Sequence, residues 1–118
     1  MNKKKFLIIG LIICLTITIM FILNKNRKME PFIGYWSGNT ANGTEISCDL
    51  KSNGTGLYEY NIDDKYYIWY FDWKVKDDTV IINGKSGIQM FELNEVNELE
   101  CISGNIGSMD IRGKYKKI

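Results

Sequence analysis

Histidine is absent from this 118-residue chain. That removes imidazole metal ligands, His-dependent nucleophilic catalysis and the usual charge switch near neutral pH. Proline occurs once, at Pro31, and cysteine three times, at Cys14, Cys48 and Cys101. Acidic residues are missing altogether before Glu30, although the chain has 14 of them. No amphipathic helical period of useful length occurs beyond residue 31, so no helix is available to cover a sheet. No glycine-rich stretch is followed by a helix, which excludes a phosphate loop. The chain reads as a non-enzyme without a cofactor.

One long apolar run is present. Residues 6–23 (FLIIGLIICLTITIMFIL) contain no charge, and as a helix they reach about 27 Å, near the thickness of a bilayer's hydrocarbon core. Lys3, Lys4 and Lys5 precede the run, and Lys25, Arg27 and Lys28 follow it. A cleaved signal peptide has a shorter apolar core and a small-residue site behind it, whereas this run ends in Phe21-Ile22-Leu23-Asn24-Lys25. A lipoprotein signal needs a small residue before its acylated cysteine, and Ile13 stands before Cys14. Residues 1–28 are therefore expected to be an uncleaved signal-anchor with basic flanks. Bases balance across the run, so orientation rests on the N-terminal cluster, which resembles a secretory n-region. This places the N-terminus inside and the rest of the chain outside the cytoplasm as a single-pass membrane protein. Residues 24–30 read as a solvated spacer whose bases could rest on anionic head groups, at about 1 kcal/mol each.

Residues 29–118 form the second unit. They carry every acid and nine of the 15 bases, for a net charge of −5. A mildly acidic surface gains little from a phosphate backbone, which argues against nucleic acid as a partner. Turn signals recur about every ten residues between runs rich in Ile, Tyr, Trp, Phe and Thr, the spacing of an antiparallel sandwich or barrel. Eight strands are expected, at 32–38, 44–51, 55–62, 66–76, 79–83, 87–94, 97–103 and 108–117. Turns fall at Ala41-Asn42-Gly43, Ser52-Asn53-Gly54, Asp63-Asp64, Asp77-Asp78, Asn83-Gly84, residues 94–97 and Gly104-Asn105. The short connections make consecutive strands neighbours. The fold class is all-β, a small eight-stranded antiparallel meander barrel that closes because its apolar faces have nothing else to cover them.

Alternation assigns an inward face. It collects Trp36, Cys48, Tyr58, Tyr60, Tyr67, Trp69, Phe71, Trp73, Phe91, Cys101 and Tyr115, among others. The outward face takes Glu45, Asp49, Glu59, Asp72, Gln89, Glu92 and Arg112, with Ile88 and Met90 as exceptions to its polarity. Lining a barrel mouth, Trp36, Tyr58, Tyr60, Tyr67, Trp69 and Phe91 would make a pocket for a small hydrophobic ligand such as an envelope lipid. The same residues could equally fill the barrel, whose interior at eight strands is only wide enough for side chains. The second case leaves a protein-interaction or structural module with Tyr35, Leu57, Ile68, Tyr70, Ile88 and Met90 as contact candidates. Cys48 and Cys101 could form a disulfide or remain two buried thiols. No calcium-loop spacing surrounds either Asp pair, so both are turns and no metal site is expected.

Several of these segments resemble lipocalin-like, calycin-type barrels. Phe32-Ile33-Gly34-Tyr35-Trp36 is similar to their Gly-x-Trp first strand, and residues 50–58 to the second hairpin of small bacterial members. Residues 71–82 resemble their middle strands and residues 113–117 their closing one. The resemblance implies a barrel over roughly residues 31–118 that binds a small apolar molecule. It also implies a basic side chain of the last strand on the first-strand Trp, with Arg112 as the nearest candidate, a contact worth about 0.5–2 kcal/mol. The C-terminal helix and the Thr-Asp-Tyr-type motif of larger members are missing.

Overall fold

The computed structural model describes residues 3–40 and 42–118, and at residues 6 and 21–27 the backbone alone. A helix, α1 (Lys3–Met29), leads through a 3-10 turn (Glu30–Phe32) into the strands. These are β1 (Gly34–Asn39), β2 (Glu45–Leu50), β3 (Thr55–Ile62), β4 (Lys65–Lys76), β5 (Thr79–Gly84), β6 (Gly87–Leu93), β7 (Leu99–Ser103), β8 (Asn105–Ile106), β9 (Met109–Asp110) and β10 (Gly113–Lys117). Strands β1 to β7 and β10 close into an eight-stranded antiparallel barrel, with β10 sealing the ring between β7 and β1. The pair β8–β9 stands outside that ring.

Turn chemistry explains the meander. Asp63 and Asp64 have φ of 52° and 63°, and Asp77 and Asp78 of 51° and 60°. Two consecutive positive φ values are what a two-residue type I′ hairpin requires, and Asp tolerates them. At the β2–β3 turn the Asn53 carboxamide oxygen accepts from the Thr55 amide at 3.0 Å and its hydroxyl at 2.7 Å. Up-and-down connectivity puts the β1–β2, β3–β4 and β5–β6 turns and segment 104–112 at one end, called distal here. Helix α1, the other turns and the C-terminus share the entry end.

Four expectations are corrected. Residues 24–29 are not a spacer: the helix runs on to Met29, and Met29 and Phe32 are both 4 % exposed within the core. Pro31 fits the first turn of the 3-10 segment, where no amide hydrogen is needed. The first strand begins at Gly34 rather than at residue 32. The eighth expected strand, 108–117, is divided, because Gly104 (φ 138°) and Gly107 (φ 60°) let residues 105–110 fold back as a hairpin that buries Ile106. Gln89 points inward, fully buried, while Ile88 and Met90 point out. Its parity with Phe91 dictates this, and its polarity is satisfied within.

Among the described residues no helix is long and apolar enough to cross a membrane. The expected span, 6–23, includes residues 6 and 21–23, whose side chains lie outside the described set, as does Ala41 of the first expected turn. Within residues 7–20 the apolar side chains are exposed, from Ile9 at 49 % to Leu7 at 68 %.

Candidate functional site

The interior is built from the entry end upward. Trp36, 2 % exposed, donates its ring N–H to the Phe32 carbonyl at 2.9 Å. Lys117, its cross-strand neighbour, holds Nζ 5.5 Å from the Trp36 ring centroid. The basic partner of this Trp is therefore Lys117 and not Arg112. Arg112 lies outside and is drawn to Asp110, with Nη2 2.7 Å from Oδ2, and the guanidinium holds that carboxyl below its ordinary range.

The middle layer is aromatic. Tyr58 packs on Phe71 with centroids 4.8 Å apart, and Phe91 meets Tyr115 edge-on at 5.6 Å. The Tyr58 hydroxyl donates to Gln89 Oε1 at 3.1 Å, linking β3 to β6 through the interior. The Tyr115 hydroxyl donates to the Ile111 carbonyl at 2.7 Å. Cys48 and Cys101 are both free thiols. They stand on β2 and β7, which β1 and β10 separate around the ring. Burial raises both thiols, Cys48 well above its ordinary value and Cys101 to about 12.

At the distal end Gln89 acts as a latch. Its Nε2 donates to the carbonyls of Ser86 at 3.2 Å and Asn105 at 2.9 Å, tying the β8–β9 hairpin over the barrel rim. Each polar atom of that amide therefore has a partner, which is how a carboxamide is tolerated at full burial. Ser86 Oγ is buried without one.

The six aromatics read as ligand-binding thus divide. Trp36, Tyr58 and Phe91 are core residues, exposed by 2 %, 0 % and 0 %. Tyr60, Tyr67 and Trp69 gather where the β3–β4 hairpin leaves the barrel. Tyr60 and Tyr67 stack at 5.3 Å, and Trp69 donates its ring N–H to the Tyr60 hydroxyl at 2.7 Å. Beyond them Tyr66, Ile68 and Tyr70 line the outer face at 56 %, 40 % and 70 % exposure. A shallow depression of about 320 Å³ beside them is lined by Glu45, Ser47, Glu59, Tyr60, Asn61 and Tyr66. A hydrogen bond with the Glu59 carboxylate raises the Tyr66 phenol above its ordinary value.

Sequence reasoning missed Gln89 and Lys117. Both share parity with residues placed correctly, Phe91 and Tyr115, and parity was the available signal. Among the described residues no group of three or more His, Cys, Asp or Glu side chains could hold a metal ion. No protein-family model matches the chain, and no curated protein and no solved structure gives a significant match.

Proposed function

We propose that this chain is a membrane-tethered, extracytoplasmic protein-interaction module: a lipocalin-like barrel, filled by its own side chains, that binds through its outer surface. The contrast in exposure carries the reading. Tyr58 and Phe91 have no exposed area, while Tyr66 and Tyr70, one hairpin away, are 56 % and 70 % exposed. A pocket in the interior would require the Tyr58–Gln89 hydrogen bond to open. Exposed Tyr and Trp are the residues that interfaces concentrate. The tether is supported by the uncharged run 6–23 with bases on both flanks, and the lipocalin-like assignment by the Gly34-x-Trp36 start and the closed ring.

A small apolar ligand remains the second reading, favoured by one observation, the partly open Tyr60–Tyr67–Trp69 cluster at the rim. Native mass spectrometry of the full chain released from detergent separates the two. The bare chain mass is expected; a stoichiometric apolar adduct that survives release would replace the first reading by the second.

A further inference from the structure

Strand β4 is only half covered. It pairs with β3 from Lys65 to Asp72, but with β5 only from Phe71 to Lys76. Residues 65–70 therefore have one neighbour, and no other strand among the described residues pairs with their free side. The direction of the backbone groups follows from two contacts. The Trp73 amide donates to the Gly54 carbonyl at 2.8 Å, toward β3. The Tyr70 carbonyl faces Gly84, 2.8 Å from where a Cβ there would stand, toward β5. Groups alternate along a strand, so the amides and carbonyls of Tyr66 and Ile68 point out along the open edge. Closing a barrel normally removes such edges, and an exposed apolar one is a template for pairing.

The side chains around this edge state what it would accept. On the outer face of β2–β4 and at the hairpin tip lie Glu45, Asp49, Glu59, Asp63, Asp64 and Asp72; against these six acids stand Lys65 at the tip, Lys74 and Lys76 at the far end of β4, and Lys85 in the β5–β6 turn. Tyr66 and Tyr70 stand exposed among these carboxylates, and aromatic rings attract cations. A second copy fits badly. With Ile68 opposite its own counterpart, Asp64 of each chain would be aimed at the position beside Asp72 of the other, which Asn83 of β5 already occupies.

The geometry points to residues 65–70 as an acceptor edge for an extended, basic segment of another polypeptide, added as a further β-strand beside Tyr66 and Ile68. This rests on the interaction-module reading and names its partner class. Main-chain hydrogen bonds would supply affinity, and Glu59, Asp72 and the Tyr rings selectivity.

The test uses the full chain in detergent micelles and three end-blocked octapeptides: alternating Lys/Val, alternating Glu/Val, and Lys/Val with alternate amides N-methylated. The first is expected to bind and to slow hydrogen exchange at the Tyr66 and Ile68 amides at least tenfold. The other two should bind at least tenfold more weakly. Ile68→Pro removes an edge donor that nothing in the fold uses, so it should keep the barrel's thermal midpoint and lose the peptide. Glu59→Lys with Asp72→Lys should reverse the preference between the charged peptides. Equal binding of the N-methylated peptide would overturn strand addition. Equal binding of the Glu/Val peptide would overturn the basic partner, and a dimer of the free chain that buries these amides would replace it with a second copy. If no peptide binds while photocrosslinkers at Tyr70 still capture a cellular protein, the edge proposal fails and the interaction-module reading stands. If neither occurs, both fail.

Discussion

Strand β4 changes character in its middle. From Phe71 onward its alternate side chains are core: Phe71 is 5 % and Trp73 4 % exposed, and β5 covers the free edge. Before Phe71 the same strand is exposed on both faces, with Tyr70 at 70 % and Tyr67 at 37 %. At the inward positions the composition does not differ in kind: Tyr67 and Trp69 in the first half, Phe71, Trp73 and Val75 in the second. What differs is the length of the neighbours: β5 and β6 turn back at Gly84–Gly87, while β3 and β4 continue to Asp63-Asp64. An aromatic strand is core only as far as its partners reach. Beyond that point the same residue types form surface.

The most direct way to break this comparison is to truncate one aromatic from each half. Trp73 also donates its ring N–H to the carbonyls of Lys51 and Thr55, at 2.9 and 3.0 Å. Trp73→Ala should cost about 3–5 kcal/mol, the usual range for deleting a buried Trp. Tyr70→Ala should stay within about 0.5 kcal/mol, as surface substitutions do. Urea denaturation of both variants measures the difference; comparable losses would mean that the projecting half is packed against something.

A second cut falls on the latch. Replacing Gln89 with Leu keeps the approximate size but strands the Tyr58 hydroxyl and removes the donor to the Ser86 and Asn105 carbonyls. Unsatisfied buried groups cost about 1–3 kcal/mol, so the loss should be of that order. It should be accompanied by faster hydrogen exchange at Ile106, since the β8–β9 hairpin loses its tie. A variant as stable as the parent would show that the amide contributes nothing to the closed end.

Alkaline solution tests the interior without mutation. Burial raises Cys48, Cys101 and the phenols of Tyr58 and Tyr115. An acid whose pKa is higher when folded holds its proton better in the native state. That contribution is complete below the unfolded value, 9.0 for a thiol, and drains away as pH rises toward the folded one, about 12 for Cys101. The urea midpoint should therefore be flat from pH 6 to 8 and fall progressively above pH about 9. Ellman titration at pH 8 should find Cys48 and Cys101 silent in the native chain and both reactive once it is unfolded without reductant. Fewer than two thiols released from residues 48 and 101 would mean a bridge.

Much of this architecture was legible in the residues. Asn-Gly and Asp-Asp turns separated by alternating runs sufficed for eight strands in meander order, since each turn chemistry admits few geometries. The division of the last strand was not legible. Gly107 signals a bend, but that Ile106 lies beneath it depends on the space left at the distal rim. Cys48 and Cys101 share an inward face, yet whether two inward thiols meet depends on where their strands fall around the ring. The candidate site was half legible for the same reason: alternation separates inward from outward, and cannot tell Tyr58, inside the ring, from Tyr67, on the same face but past its end.

The smallest expected effect concerns the entry end. Lys117 reaches across the Trp36 ring, and its stem fills the space beside Gly34, where a Cβ would stand 2.5 Å from Lys117 Cε. A cation over an aromatic ring at an exposed site contributes about 0.5–1 kcal/mol, so Lys117→Ala should destabilise by that amount and change the emission of Trp36. Lys117→Arg should retain most of both. Arg112→Ala breaks an ion pair whose partners are 66 % and 38 % exposed, a class worth about 0–1 kcal/mol, and it should leave the tryptophan spectrum untouched. Should Arg112→Ala shift that spectrum and Lys117→Ala not, the basic partner of Trp36 would be the one expected from sequence, and β10 would have to be re-registered against β1.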